Sequence, residues 1–321
     1  MRNALKIKDL TLPHRLILAP LCGITLKPFR MLCREYGAGL VFNQMVSAKA
    51  LVLRDKKTFK ILEYDEAEHP IAMQLFGNDP KTLGEAAAIL QDLGADVIDL
   101  NLGCPARKII NDGGGSILMN DPERLKEIFD QMRKNIRGVF TIKMRAGWDH
   151  NHINAPLIAK IAEAHGVDAV TIHGRTRSQG YSGNSDWGII KTVKESIAIP
   201  VIGNGDVFEA IDAEAMMQKT GCDAVMTGRG AFKKPWIFSD FVNDRQNTPT
   251  AEELKQMILK LYTSSMAFFG NATGIKNMRK FICTFTKGIK DGAVFRNEMV
   301  RINDWAAIKR RLDAFFIMET H

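Results

Sequence analysis

The chain has 321 residues, 45% of them hydrophobic and 25% charged, with a formal net charge of +8. That balance excludes a disordered or low-complexity chain, and no apolar run reaches the length of a membrane span. Five cysteines, odd in number and widely spaced without a CxxC pair or a Cys/His cluster, argue against a disulfide framework and a metal site.

The N-terminal stretch "MRNALKIKDLTLPHR" lacks the apolar core of a signal peptide, so a reduced, cytoplasmic protein is expected. Eight short apolar runs then follow in chain order. They are "LILAP" (16–20), "LVFNQM" (40–45), "IAMQLFG" (71–77), "VIDLNLG" (97–103), "FTIKMRA" (140–146), "DAVTIHGR" (168–175), "PVIGNGD" (200–206) and "AVMTGRG" (224–230). Most are continuous rather than alternating, as strands covered on both faces should be. Amphipathic helical stretches separate them. Asp79-Pro80 and Asp121-Pro122 each place an N-cap and a first-turn proline before such a stretch. Eight strand–helix units predict an α/β fold, a TIM (β/α)8 barrel over residues 1–242.

Beyond it, 243–253 reads as a polar linker, and 254–321 as a small all-helical C-terminal domain. Thirteen Lys/Arg stand against seven Asp/Glu from Arg245 onward, so most of the excess charge lies there. An anionic partner is one reading of this charge and solubility is the other. Trp236 in "KKPWIF" is expected to pack. "SGNSDW" (182–187) is expected to form a loop ending in a helix N-cap at Ser185 or Asp186.

A TIM barrel gathers the C-terminal ends of its strands on one face. Here that face collects Pro20, Gln74, Asn101 with Cys104, Lys143 with Arg145, His173 with Arg175, Asn204 with Asp206, and Gly228 with Arg229. Cys104 sits between Gly103 and Pro105 at a strand exit. It is either a reactive thiol or a buried small hydrophobe. The turns "GNGD" and "GRG" after the seventh and eighth strands are either simple tight turns or a phosphate cradle, with Arg229 as an added partner. Lys143 and Gln74 suit a flavin ring, the lysine by stabilising negative charge on its reduced form. His173 reads equally as a neutral packed histidine.

Together "LAPLCGITLKPFR", "MQLFG", "DLNLGCPARK", "TIKMRAGW", "TIHGRTR", "VIGNGD" and "MTGRGAFKKPWIF" resemble the tRNA-dihydrouridine synthases over residues 12–240, and most nearly the bacterial B-type branch. The resemblance implies an FMN-dependent, NADPH-driven reduction of the C5–C6 double bond of uridines in tRNA, with Cys104 as general acid at carbon 5. It implies FMN contacts from Pro20, Leu21, Cys22, Gln74, Lys143, His173, Asn204, Gly205, Asp206, Gly228 and Arg229. Asn101, Arg145 and Arg175 would hold the substrate nucleotide. Lys276, Arg279 and Lys280 of the helical domain would contact tRNA backbone, supplying energy for extruding the base.

Two departures stand out. Leu21-Cys22 occupies the place of the family's usual methionine after the first-strand proline, and Phe281 follows Arg279-Lys280 where relatives often carry histidine. No metal, no membrane association and a monomer are expected. The competing expectation is an FMN-dependent small-molecule pyrimidine dehydrogenase of the dihydroorotate type, which has no need of the basic helical tail.

Overall fold

The computed structural model describes residues 4–318. All eight expected strands are present: β1 Leu16–Leu18, β2 Val41–Phe42, β3 Ile71–Phe76, β4 Val97–Leu102, β5 Val139–Arg145, β6 Ala169–His173, β7 Val201–Asn204 and β8 Ala224–Thr227. Each runs parallel to its successor from β2 onward, and β8 pairs with β1. The remaining seam is closed by backbone bonds, Leu18 N–H to Leu40 O at 2.9 Å and Gly39 N–H to Leu16 O at 2.8 Å. The result is a closed (β/α)8 barrel.

Apart from Phe76 and Lys143, which are half-buried, the strands are buried along their length, with helices covering their outer faces. The predicted caps form as expected. The Asp79 carboxylate accepts from Thr82 N–H at 2.8 Å and Asp121 from Arg124 N–H at 3.0 Å, with proline in the first turn of each helix. Asp186 caps the helix Trp187–Ser196 through Gly188 N–H at 2.8 Å. Trp236 is buried, and its indole N–H donates to Asn247 O at 3.1 Å.

The N-terminal end of the barrel is plugged by an antiparallel hairpin, Leu5–Ile7 with Leu10–Leu12, which the sequence reading did not anticipate. Leu5, Ile7 and Leu12 pack in one cluster with Ile17, Phe42, Ala72, Val97, Val139, Ala169, Ile202 and Ala224. Burying these inward-facing apolar residues closes the barrel floor, so only the opposite mouth is left for chemistry.

Four helices follow the barrel: Ala251–Phe269, Asn271–Phe285, Gly292–Met299 and Trp305–Met318. The first begins inside the stretch expected to be a linker. A capping box stops the chain from staying extended there: Thr250 Oγ1 accepts from Glu253 N–H at 3.2 Å while the Glu253 carboxylate accepts from Thr250 N–H at 2.8 Å. Gly274 lets the first two helices touch, since a Cβ there would lie 2.5 Å from the Met266 Cα.

The helical region shares its core with the barrel. Phe281 is 3% exposed, with its ring centroid 5.2 Å from that of Phe29 and 5.4 Å from that of Phe232. Phe281 is thus an aromatic strut between the two regions. Phe281→Ala should cost about 3–5 kcal/mol of stability, read as a lower denaturant midpoint. A midpoint unchanged from wild type would remove Phe281 from the shared core. Among the described residues no helix is long and apolar enough to cross a membrane.

Candidate active site

A cavity of about 420 Å³ opens at the C-terminal mouth of the barrel, within the usual range for small-molecule sites. Its wall includes Pro20, Leu21, Cys22, Gln74, Asn101, Cys104, Lys143, Arg145, His173, Asn204, Gly205, Asp206, Gly228 and Arg229. Strand periodicity explains the set. Residues two apart share a face, so Asp99 and Asn101 of β4, Thr141 and Lys143 of β5, and Thr171 and His173 of β6 point the same way. The floor beneath them is apolar and the upper layers are polar.

The register pairs Gln74 with Asp99, Asp99 with Thr141, and Asn101 with Lys143. A hydrogen-bond chain runs across this register. Gln74 Nε2 donates to Asp99 Oδ2 at 2.7 Å and Thr141 Oγ1 donates to Asp99 Oδ1 at 2.6 Å. Asn101 Nδ2 donates to Gln74 Oε1 at 2.9 Å. This fixes the Gln74 amide: its oxygen faces Asn101, and one N–H is committed to Asp99. The second N–H is left for a ligand.

The same chain reaches Cys104. Asn101 Oδ1 accepts from Cys104 N–H at 2.9 Å and from Gly103 N–H at 3.2 Å. Ser116 Oγ donates to Cys104 O at 3.0 Å, and Arg145 Nε donates to Gly103 O at 2.8 Å. The loop is therefore held at both ends of the cysteine. Burial pushes the Cys104 thiol above its ordinary pKa, opposed by the Ala106 N–H and the Arg145 charge, so it stays protonated at neutral pH. Cys22 across the wall is also raised, by burial and by Cys104.

Lys143 Nζ donates to Asn204 Oδ1 at 2.9 Å, and Asn204 Nδ2 donates to Met226 O at 2.7 Å. Burial lowers the Lys143 pKa to about 8, with Arg145 adding to the shift and Asp99 opposing it. His173 is driven down to about 2 by burial and by the cations Lys143, Arg145, Arg175 and Arg229, so it is a neutral imidazole. Its Nδ1 is buried with no partner. A buried polar atom with nothing to bond is what a ligand site leaves when built for a molecule that the protein does not supply.

Asp206, at φ +55°, draws the last two turns together. Its carboxylate accepts from Arg175 Nη2 at 2.8 Å, Arg229 Nη2 at 3.0 Å and Ser185 N–H at 2.7 Å. Neighbouring Gly205 has φ +120°, and a Cβ there would run into the Ser185 side chain. The "SGNSDW" loop and the "GNGD" turn thus pack as one unit, with Trp187 Nε1 donating to Gly205 O at 3.1 Å.

The buried carboxylate has a consequence for stability. Burial raises Asp99 to about 7 against its hydrogen bonds and Lys143. The folded state therefore holds a proton that the unfolded chain releases near pH 4. Stability should fall as pH rises from about 4 to about 7 on this account. Asp99→Asn should flatten that part of a melting-temperature profile. A variant that declines in parallel with wild type over the same window would contradict the assignment.

Comparison with known proteins decides the family. The model of the family described as "Dihydrouridine synthase" matches residues 17–319. A "Probable tRNA-dihydrouridine synthase" of Rickettsia conorii is 38% identical over 99% of this chain and 98% of its own length. A "tRNA-dihydrouridine synthase B" of Pseudomonas aeruginosa is 35% identical over 98% of this chain and 96% of its own.

The chain belongs to the dihydrouridine synthase family.

Solved structures share the fold at low identity. Morphinone reductase in complex with tetrahydroNAD aligns with TM-score 0.55 and 15% identity, covering 76% of this chain and 91% of that one. A variant of the enzyme NCR from Zymomonas mobilis aligns with TM-score 0.57 and 16% identity, covering 84% and 97%.

In this member of the family, every residue expected at the cofactor lies on the cavity wall, as do Asn101, Arg145 and Cys104. Arg175 does not. Arg175 is 2% exposed, with its guanidinium bonded to Asp206, Ser182 O and Gly183 O, because the chain turns at Gly174 after β6 ends. Lys276 is exposed on the helical domain, whereas Arg279 Nη2 donates to Asn303 Oδ1 at 2.9 Å. Lys280 Nζ reaches the barrel and donates to Gly23 O, on the loop carrying Leu21 and Cys22. It therefore ties the helical region to the cavity wall.

Sequence reading missed three contributors. Asp99 was visible as a lone carboxylate in an apolar strand. Thr141 became meaningful only through its register with Asp99. Tyr181, 60% exposed on the wall, lies under the Arg229 guanidinium at 4.7 Å from the ring centroid. Among the described residues no group of side chains could hold a metal ion.

Proposed function

We propose that this protein is a tRNA-dihydrouridine synthase that binds FMN in the barrel mouth and uses NADPH to reduce the C5–C6 double bond of a tRNA uridine. The names of the relatives, tRNA-dihydrouridine synthases, support the substrate. The site supports the cofactor: an unpartnered buried His173 Nδ1, a free Gln74 N–H, a buried lysine and bare glycine turns at Gly205 and Gly228 suit a ligand with a polar ring edge and a phosphate. When bound, FMN supplies the hydride, taken from NADPH, that adds to carbon 6 of the uracil.

The chain's own residues do the rest. Gln74 and Lys143 hold the polar edge of the ring. The Gly205 and Gly228 backbones with Arg229 hold the phosphate. Asn101 and Arg145 line the space where the base enters. Cys104 gives its thiol proton to carbon 5 as general acid. The carrying observation is that neutral thiol, fixed at the cavity wall by bonds on both sides of its backbone.

The basic helical region binds tRNA backbone, with Lys276 exposed for the purpose. The test compares acceptors. Anaerobically reduced holoenzyme mixed with unmodified tRNA should reoxidise far faster than with orotate or free uracil. Faster reoxidation by orotate would instead make the protein a small-molecule pyrimidine dehydrogenase.

A further inference from the structure

The segment after β2 carries a second basic surface that neither the barrel chemistry nor the C-terminal cluster accounts for. Ser47 caps a short helix, Ala48–Val52, and Asp55 caps the next, Lys56–Leu62. The turn between them holds Arg54 in the left-handed region at φ +57°. Lys49, Leu53, Arg54, Lys56 and Lys57 are all exposed there, Leu53 by 71%.

The only carboxylate between residues 48 and 60 is Asp55, and it is committed to Thr58 N–H at 2.8 Å and Thr58 Oγ1 at 2.9 Å. Among the described residues Lys49, Arg54, Lys56 and Lys57 form no ion pair, so four exposed cations share this turn without a neutralising carboxylate. Unpaired like charges this close repel one another, and an anion lying across them relieves that repulsion.

Position points to the anion. Met45, just before this segment, lines the cavity. Lys60, at its far side, pairs with Glu63 and stands 4.1 Å from the ring centroid of Phe268, at the end of helix Ala251–Phe269. The next helix starts at Asn271 and presents exposed Lys276. The segment therefore starts at the cavity wall at Met45 and ends against the first C-terminal helix at Phe268.

We propose that the Lys49–Lys57 turn is a second docking surface for tRNA, gripping backbone phosphates beside the cavity mouth while the exposed Leu53 contacts the ribose and base faces. This rests on the tRNA reading above. It gives the barrel its own hold on the strand near the extruded base, where contacts from the helical domain alone would leave the strand free to move.

The test is tRNA affinity against salt for wild type and Arg54→Ala/Lys56→Ala/Lys57→Ala, both loaded with FMN. Melting temperature and flavin occupancy report that the variant is folded. Each lost phosphate contact lowers the log–log salt slope by about 0.7–0.9, so the slope should fall by about two to three. Affinity should drop at least about tenfold at low salt.

A variant matching wild type in slope and affinity, while wild type binds tRNA, overturns this proposal alone. Wild type that fails to bind tRNA overturns the tRNA reading and this proposal with it. Loss of binding to phosphatidylglycerol vesicles with tRNA binding intact overturns it in favour of a membrane surface.

Discussion

Cys104→Ala should retain FMN and NADPH oxidation but lose dihydrouridine formation by about 100- to 10,000-fold, the usual worth of a positioned general acid. The cysteine backbone is held by Asn101 Oδ1 and the Ser116 hydroxyl, and neither bond needs the thiol, so the loop should survive the change. His173 is held neutral by burial and by the four surrounding cations, Lys143 is committed to Asn204 Oδ1, and the arginines do not release protons at working pH. Cys22 is the one other thiol on the wall. Cys104→Ala/Cys22→Ala therefore shows whether any remnant activity comes from it. Full activity in the single variant would end the general-acid role.

The second large effect is expected at Lys143. A buried ammonium beside the ring edge favours the form of the flavin carrying negative charge. Lys143→Met should lower the two-electron midpoint potential of bound FMN by tens of millivolts, where ~30 mV corresponds to ~1.4 kcal/mol. FMN affinity should fall at least about tenfold. The methionine fills a similar volume and removes a buried charge, so folding should not suffer. The pH profile adds a sign. With its pKa lowered to about 8, Lys143 loses charge as pH rises through that value. The wild-type potential should therefore fall more steeply above about pH 8, and the variant should lack that extra slope. Superimposable potential–pH curves would contradict the role given to Lys143.

Most of the barrel was readable because a doubly covered strand is a continuous apolar run, and each such run was bounded by glycine, proline or a capped helix. The plug hairpin was not, since two three-residue strands around Lys8 carry too little pattern to separate from a polar N-terminus. That the strand-end residues would line one cavity was legible from topology alone. Arg175 shows where that reasoning stops. Two residues beyond the end of β6 the backbone has already turned, and only coordinates reveal that the guanidinium serves Asp206. Lys280 is similar: sequence shows a cation in a basic helix, while the fold shows it bonded to Gly23 of the barrel. Asp99 was hidden for the opposite reason. Its function depends on cross-strand register with Gln74 and Thr141, which a linear pattern does not contain.

The most direct measurement is mass spectrometry of unmodified tRNA after incubation with the purified protein, FMN and NADPH. A gain of two hydrogens at a uridine, absent when NADPH is withheld, is the predicted result. Unchanged tRNA in the presence of bound, fully reducible FMN would contradict the account.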